Sequence, residues 1–299
     1  MKTQLEGRFK FQVTRPDGTS RVISDWSPNL ILDAGLNRIG SGGFLTHCMV
    51  GGSSAAPLVG QTTLVTKYAD SSTILTDSVG LELASNYCYI RRTFRFAAGV
   101  AAGNLSEVGV GWTETLCFSR ALIVDMAGVP TTITVLGDEI LDVTYEFRMY
   151  WPLVDGSATL TVDGSSYNIV SRASNVGDWH LSMMALFVGS GSNSINSFNF
   201  GVNAYTGGVP ADLGGITVGP SMAGSGSGTL SYGSAYVNNS YERSYVGYFI
   251  PTPVVLPITA VKFTTVLGIY KLSIDPAIPK DNTNTFSVNV KCQWARRVV

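Results

Sequence analysis

A period of two constrains this chain more than any other feature. In "LDVTYEFRMYW", Leu141, Val143, Tyr145, Phe147, Met149 and Trp151 fall on one side of an extended backbone; Asp142, Thr144, Glu146 and Arg148 fall on the other. This pattern predicts a long half-buried strand with a solvated polar face. "FSVNVKCQW" repeats it, with Phe286, Val288, Val290, Cys292 and Trp294 facing in. Near the start, Phe9, Phe11 and Val13 alternate before "RPDGTS", where Pro16 presets φ and Gly18 is free to take a positive one. "TLTVDGSSYNIV" sets Asp163 and Gly164 between two alternating runs, the signature of a hairpin. Together these predict an all-β chain of antiparallel β-sandwich or barrel-like domains.

One segment departs from the pattern. In "SPNLILDAGLNRIGSGG", Leu32, Leu36 and Ile39 stand at helical spacing, Asn29 or Asp33 is placed to cap, and Gly40 marks the end. A helix over about 29–39 is too short to stand alone in water, so its apolar stripe is expected to plug against a sheet. The chain also echoes itself. "IRRTFRFAAG", "LSEVGVGW" and the strand ending at Trp151 are matched in order by "YERSYVGYF", "ITAVKF" and the strand ending at Trp294. Two related halves follow: an N-terminal β domain at 1–152 and a C-terminal β domain at 153–299. The second carries Gly/Ser/Tyr-rich loops at about 189–244.

Composition narrows the function classes. Charged residues make up 14% of the 299, apolar ones 45%, and the net charge is -1. That excludes disorder and provides no basic face for nucleic acid. "MKTQLEGRFKFQV" has no signal-peptide core, and the best apolar run, "PTPVVLPITAV", is broken by prolines, so no membrane insertion is expected. Cys48, Cys88, Cys117 and Cys292 show no metal-ligand spacing and read as four buried thiols. Neither a metal nor a cofactor is expected.

Catalytic patterns are sparse. "GSGSG" at 224–228 has glycine where a nucleophile elbow needs serine, and no phosphate-binding loop occurs. Asp142 and Glu146 share a strand face, the arrangement a glycan hydrolase would need, but they read first as a solvated face with Arg148 as neighbour, and nothing in the pair compels an enzyme. Glu107 is more informative. If "SEVGVGW" and "CFSRALI" form a hairpin centred on Thr113 and Glu114, Glu107 falls opposite Arg120 as a structural ion pair. Phe118 then covers Gly109 and Gly111.

The run "SPNLILDAGLNRIG", followed by "CMVGGSSAAPLVGQTTL", resembles the N-terminal part of tailed-bacteriophage virion proteins of the tail-fibre or tail-structural type. Those proteins carry an Asn-Leu-Ile-x-Asp-x-Gly-Leu helix, a Val-Gly strand end and a Pro-x-x-x-x-Thr-x-Leu segment. "TFRFAAGVAAGNLSEVGVGW", "FSRALIVDMAGVPTTITVLGDEILDVTYEFRMYWP" and "GIYKLSIDPAIPKDNTNTFSV" are similar to later portions of such proteins. The resemblance implies a non-enzymatic virion subunit made in the bacterial cytoplasm. It would associate as a homo-oligomer and with other phage tail or collar proteins. A receptor-binding module is the alternative, with Trp179, Tyr232, Tyr236, Tyr241 and Tyr245 as contacts to a host-surface receptor. A glycan depolymerase is the third reading.

Overall fold

A computed structural model of the chain describes residues 2–41, 45–174, 176–179, 201–205, 229–232, 235–249, 256–265, 267–280, 283 and 285–297. The first half contributes β1 (Lys2–Thr14), β2 (Ser20–Pro28), β3 (Leu30–Ile31), the helix α1 (Asp33–Ser41), β4 (His47–Gly51), β5 (Lys67–Ser71) and β6 (Ile74–Glu82). It continues with β7 (Tyr87–Phe96), β8 (Gly103–Leu105), β9 (Glu107–Gly111), β10 (Cys117–Leu122), β11 (Ile133–Val135) and β12 (Ile140–Tyr150). The second half contributes β13 (Gly156–Val162), β14 (Ser165–Ala173), β15 (Gly201–Tyr205), β16 (Thr229–Tyr232), β17 (Glu242–Phe249), β18 (Leu256–Thr265), β19 (Gly268–Lys280) and β20 (Phe286–Arg296).

These strands form layers rather than a closed barrel. An eight-stranded sheet runs β16-β17-β20-β1-β12-β7-β6, with β2 also on β1. Two five-stranded sheets, β3-β10-β9-β4-β5 and β13-β14-β19-β18-β15, complete the architecture, with β8 and β11 as a separate pair. The core forms where inward residues of β1, β7 and β12 meet those of β4, β9 and β10. Phe9, Ile90, Phe94 and Phe147 lie there with Val50, Val110 and Phe118, all buried. Phe147 and Phe118 meet edge-on across the layers, ring centroids 5.8 Å apart. Each such side chain withdrawn from water contributes about 1.5–3 kcal/mol.

The two-half reading has a topological counterpart. β6–β7, β7–β12, β4–β9, β9–β10, β3–β10 and β1–β2 are antiparallel pairs in the first half. In the same order, β16–β17, β17–β20, β15–β18, β18–β19, β14–β19 and β13–β14 are antiparallel pairs in the second. The echoing sequence stretches are therefore equivalent strands. The expected division at 152 does not separate two bodies, however. Lys2–Leu5 of β1 pairs in parallel with Gln293–Arg296 of β20, so strands of both halves share one sheet and one core. With β1 in that position, β13 has no ladder to β20, although its equivalent β1 pairs with β12.

The helix begins later than its spacing predicts. Leu30 and Ile31 pair with Arg120 and Ser119 of β10, which keeps them extended and leaves Asn29 outside the helix. The Leu32 carbonyl accepts the first helical bond, from the Leu36 N–H at 3.0 Å. The stripe then divides. Leu36 and Ile39 enter the main core, while Leu32 turns to the other face of the second sheet, with Met49, Leu64 and Cys117. Gly35 is obligatory here, because a Cβ would stand 2.2 Å from the Phe118 carbonyl oxygen.

All four cysteines are buried and free, as expected. Burial pushes the Cys88, Cys117 and Cys292 thiols up to about 12, and pushes Cys48 well up. A thiol held protonated in the folded state stabilises fully below the unfolded value near 8.5, and that contribution fades as pH rises toward the folded value. The buried Glu6 acts at the other end of the scale. Burial alone would raise it, but hydrogen bonds from Tyr150 and Arg8 hold it below the usual carboxylate value. Its contribution is present above the unfolded value and is lost as pH falls through the folded one. Urea midpoints measured from pH 3 to 11 are therefore expected to fall at both ends. The folded protein at pH 8 is expected to resist iodoacetamide until denatured.

Candidate functional site

The candidate site is built on the second sheet, on the face where Leu32, Met49, Leu64 and Cys117 pack. There β9 and β10 form the expected hairpin, but a bulge at Phe118 shifts their register. Glu107 is directly opposite Leu122, and Arg120 opposite Gly109. The ion pair still forms, diagonally, with Arg120 Nε 2.8 Å from Glu107 Oε2. Both side chains are fully buried. The same bulge overturns the expected cover. Phe118 faces the core, and a Cβ on Gly109 would instead meet Cys117 Sγ and Leu64, at 2.9 and 3.1 Å.

What buries the pair is the irregular segment 52–66. Glu107 accepts backbone N–H bonds from Thr66 at 2.7 Å, Val65 at 3.1 Å and Ser53 at 3.4 Å. Arg120 donates to the Ala55 carbonyl at 2.7 Å and to Gln61 Oε1 at 3.0 Å. Gln61 Oε1 also accepts the Leu58 N–H at 2.9 Å. Farther along, the Thr62 carbonyl accepts the Cys117 N–H, and the Val59 carbonyl accepts the Asp33 N–H. Gly51 is needed for the close approach, since a Cβ would lie 2.1 Å from the Thr66 carbonyl oxygen. A loop with no ladder of its own is thus held by a buried charge pair. It presents Leu58, Val59 and Val65 to solvent at 65%, 46% and 52% exposure.

The polar face of β12 is the second site to revise. Asp142, Glu146 and Arg148 are buried rather than solvated. Arg95 grips Asp142 with two bonds of 2.8 and 2.7 Å. Glu146 receives Arg91 at 2.6 Å and Arg148 at 2.5 Å. In the register of β7 on β12, Arg91 faces Glu146 and Arg95 faces Asp142. Two carboxylates each committed to guanidinium groups are a cross-strand ladder, not a free acid and base. The equal spacing of Arg91/Arg95 and Asp142/Glu146 was the signal available in the sequence.

The aromatic residues proposed as receptor contacts divide differently. Trp179 is fully buried, donates to the Ser174 carbonyl at 2.9 Å, and packs edge-on against Trp151. Tyr236 stacks on Trp294 and donates to Asn37 Oδ1 of α1 at 2.7 Å. Tyr241 lies partly buried against the core, its carbonyl accepting the Trp294 N–H. These three are packing groups, which corrects their assignment as receptor contacts. Tyr232 and Tyr245 are opposite each other in the β16–β17 ladder, and their side chains lie outside the described residues. His180, and most of 189–244, also lies outside them.

Among the described residues no group of His, Cys, Asp and Glu has the arrangement of a metal site, and no helix is long and apolar enough to cross a membrane. No family model matches the chain, and neither curated proteins nor solved structures yield a match.

Proposed function

We propose that this chain is a non-enzymatic structural subunit of a tailed-phage particle, acting through contacts with neighbouring subunits in the tail, fibre, collar or baseplate. The observation that carries the reading is the 52–66 loop. Its backbone is pinned by Glu107 and Arg120 while Leu58, Val59 and Val65 point outward. A loop ordered in advance loses little entropy when a partner covers it, and exposed apolar groups on such a loop mark a contact surface. This loop is also the segment that resembles the Pro-x-x-x-x-Thr-x-Leu stretch of phage tail proteins. The alternative, receptor binding, is weakened because Trp179, Tyr236 and Tyr241 are engaged in packing.

The test is retention on purified phage tails. A Leu58→Asp/Val65→Asp variant should keep the wild-type circular-dichroism spectrum and lose retention at least tenfold. Wild-type protein that instead adsorbs to host cells and blocks infection would replace the assembly reading with the receptor one.

A further inference from the structure

We infer that the outer edge of β13, beside which no described strand pairs, joins two copies of this chain, β13 to β13, into a two-fold dimer; this rests on the assembly reading above and names one of its contacts. The matching strand order of the two halves gives a reason that no described strand pairs with this edge. β13 is the equivalent of β1, whose corresponding edge carries the ladder to β12, whereas the place beside β20 is already occupied by Lys2–Leu5. A groove of about 270 Å³ separates β13 from β20, with Ser157 and Ala158 on one side and Asn289 and Lys291 on the other.

Other edges carry protection that β13 lacks. β6 bears Asp77 and Glu82 and a register irregularity, and β5 bears Lys67 and Asp70. β15 and β16 are five and four residues long. β13, "GSATLTV", has seven residues, all exposed, none charged, and an unbroken register on β14. Charges, bulges and shortness are the usual means of blocking edge pairing. The seven strand residues meet their own copy without like-charge repulsion, and of the acidic residues flanking them Asp155 is engaged by Arg172.

The register follows from the hairpin. Asp163 and Gly164 both have positive φ, 47° and 76°, the mark of a two-residue type I′ turn. In that turn Val162 and Ser165 exchange hydrogen bonds, so the even-numbered residues of β13 direct their backbone groups to β14. Ser157, Thr159 and Thr161 therefore direct theirs to the open edge. A two-fold axis at Thr159 pairs the copies with about six main-chain hydrogen bonds. It also sets Leu160 of each copy beside Ala158 of the other, on the face that holds Tyr167.

Thr159→Pro removes a donor that points only outward, leaving the β14 ladder intact. Sedimentation equilibrium on the full chain is expected to give twice the 31.8 kDa chain mass for wild type and once that mass for Thr159→Pro. Thr159→Lys, which leaves the backbone unchanged, should weaken the dimer at least tenfold by opposing two ammonium groups at the axis. Thr159→Cys should form an intermolecular disulfide on mild oxidation. A monomeric wild type, or a dimer insensitive to both Pro and Lys, overturns the contact. Retention on tails by a monomeric wild type would overturn it while leaving the assembly reading in place.

Discussion

Replacing Arg120 with Met is expected to cost about 3–5 kcal/mol in urea unfolding, because Glu107 would remain buried as an uncompensated charge. The double variant Glu107→Leu/Arg120→Met separates two roles. If the pair only joined β9 to β10, two apolar side chains of similar volume would restore much of the stability. Glu107 also accepts the N–H groups of Thr66, Val65 and Ser53, however, and the double variant leaves all three without that acceptor. Leaving the partly buried N–H groups without that acceptor costs about 1–3 kcal/mol in all, so the double variant should remain destabilised. Proteolysis within 52–66 should also accelerate in both variants. Wild-type stability and protease resistance in the double variant would remove the loop-clamping role.

The second large effect is expected at Trp294, where the last strand grips the helix of the first half. Its ring is buried and stacked on Tyr236, and its Nε1–H donates to the Leu36 carbonyl at 2.9 Å. Arg296 reinforces the joint through Asp33 and the Ile31 carbonyl. Trp294→Ala should cost about 3–5 kcal/mol. Trp294→Phe keeps most of the ring volume and loses the hydrogen bond, for about 0.5–1.5 kcal/mol. Amide exchange of Leu36–Ile39 should rise sharply in the alanine variant. Unchanged exchange there would mean that α1 is held by β10 alone.

The legible and illegible parts of this fold differ by range. Alternation within one segment identified β1, β12 and β20, and Asp163-Gly164 identified the hairpin, because both are properties of neighbouring residues. Alternation reports that a face is polar, not whether water or a sheet of arginines covers it, so Asp142 and Glu146 read as solvated. The Glu107–Arg120 pair was legible as a pair, since both lie on the hairpin. Its burial was not, because the cover comes from 52–66, more than forty residues upstream of Glu107. The bulge at Phe118 has no local signature and displaced the expected register. Trp179 and Tyr236 sit among Gly, Ser and Asn, a composition that suggests loop; their burial depends on Trp151 and Trp294 from distant strands.

The parallel join of β1 and β20 bears on how the chain is made. Lys2–Leu5 leaves the ribosome about 290 residues before its partner Gln293–Arg296. Until then β2 covers only the Arg8–Thr14 part of that flank of β1, and the Lys2–Leu5 part stays open. Late closure of this kind makes the nascent polypeptide prone to mispairing with a neighbour on the same polysome. A chaperone guarding the early edge until β20 emerges would raise the yield of correctly paired chain.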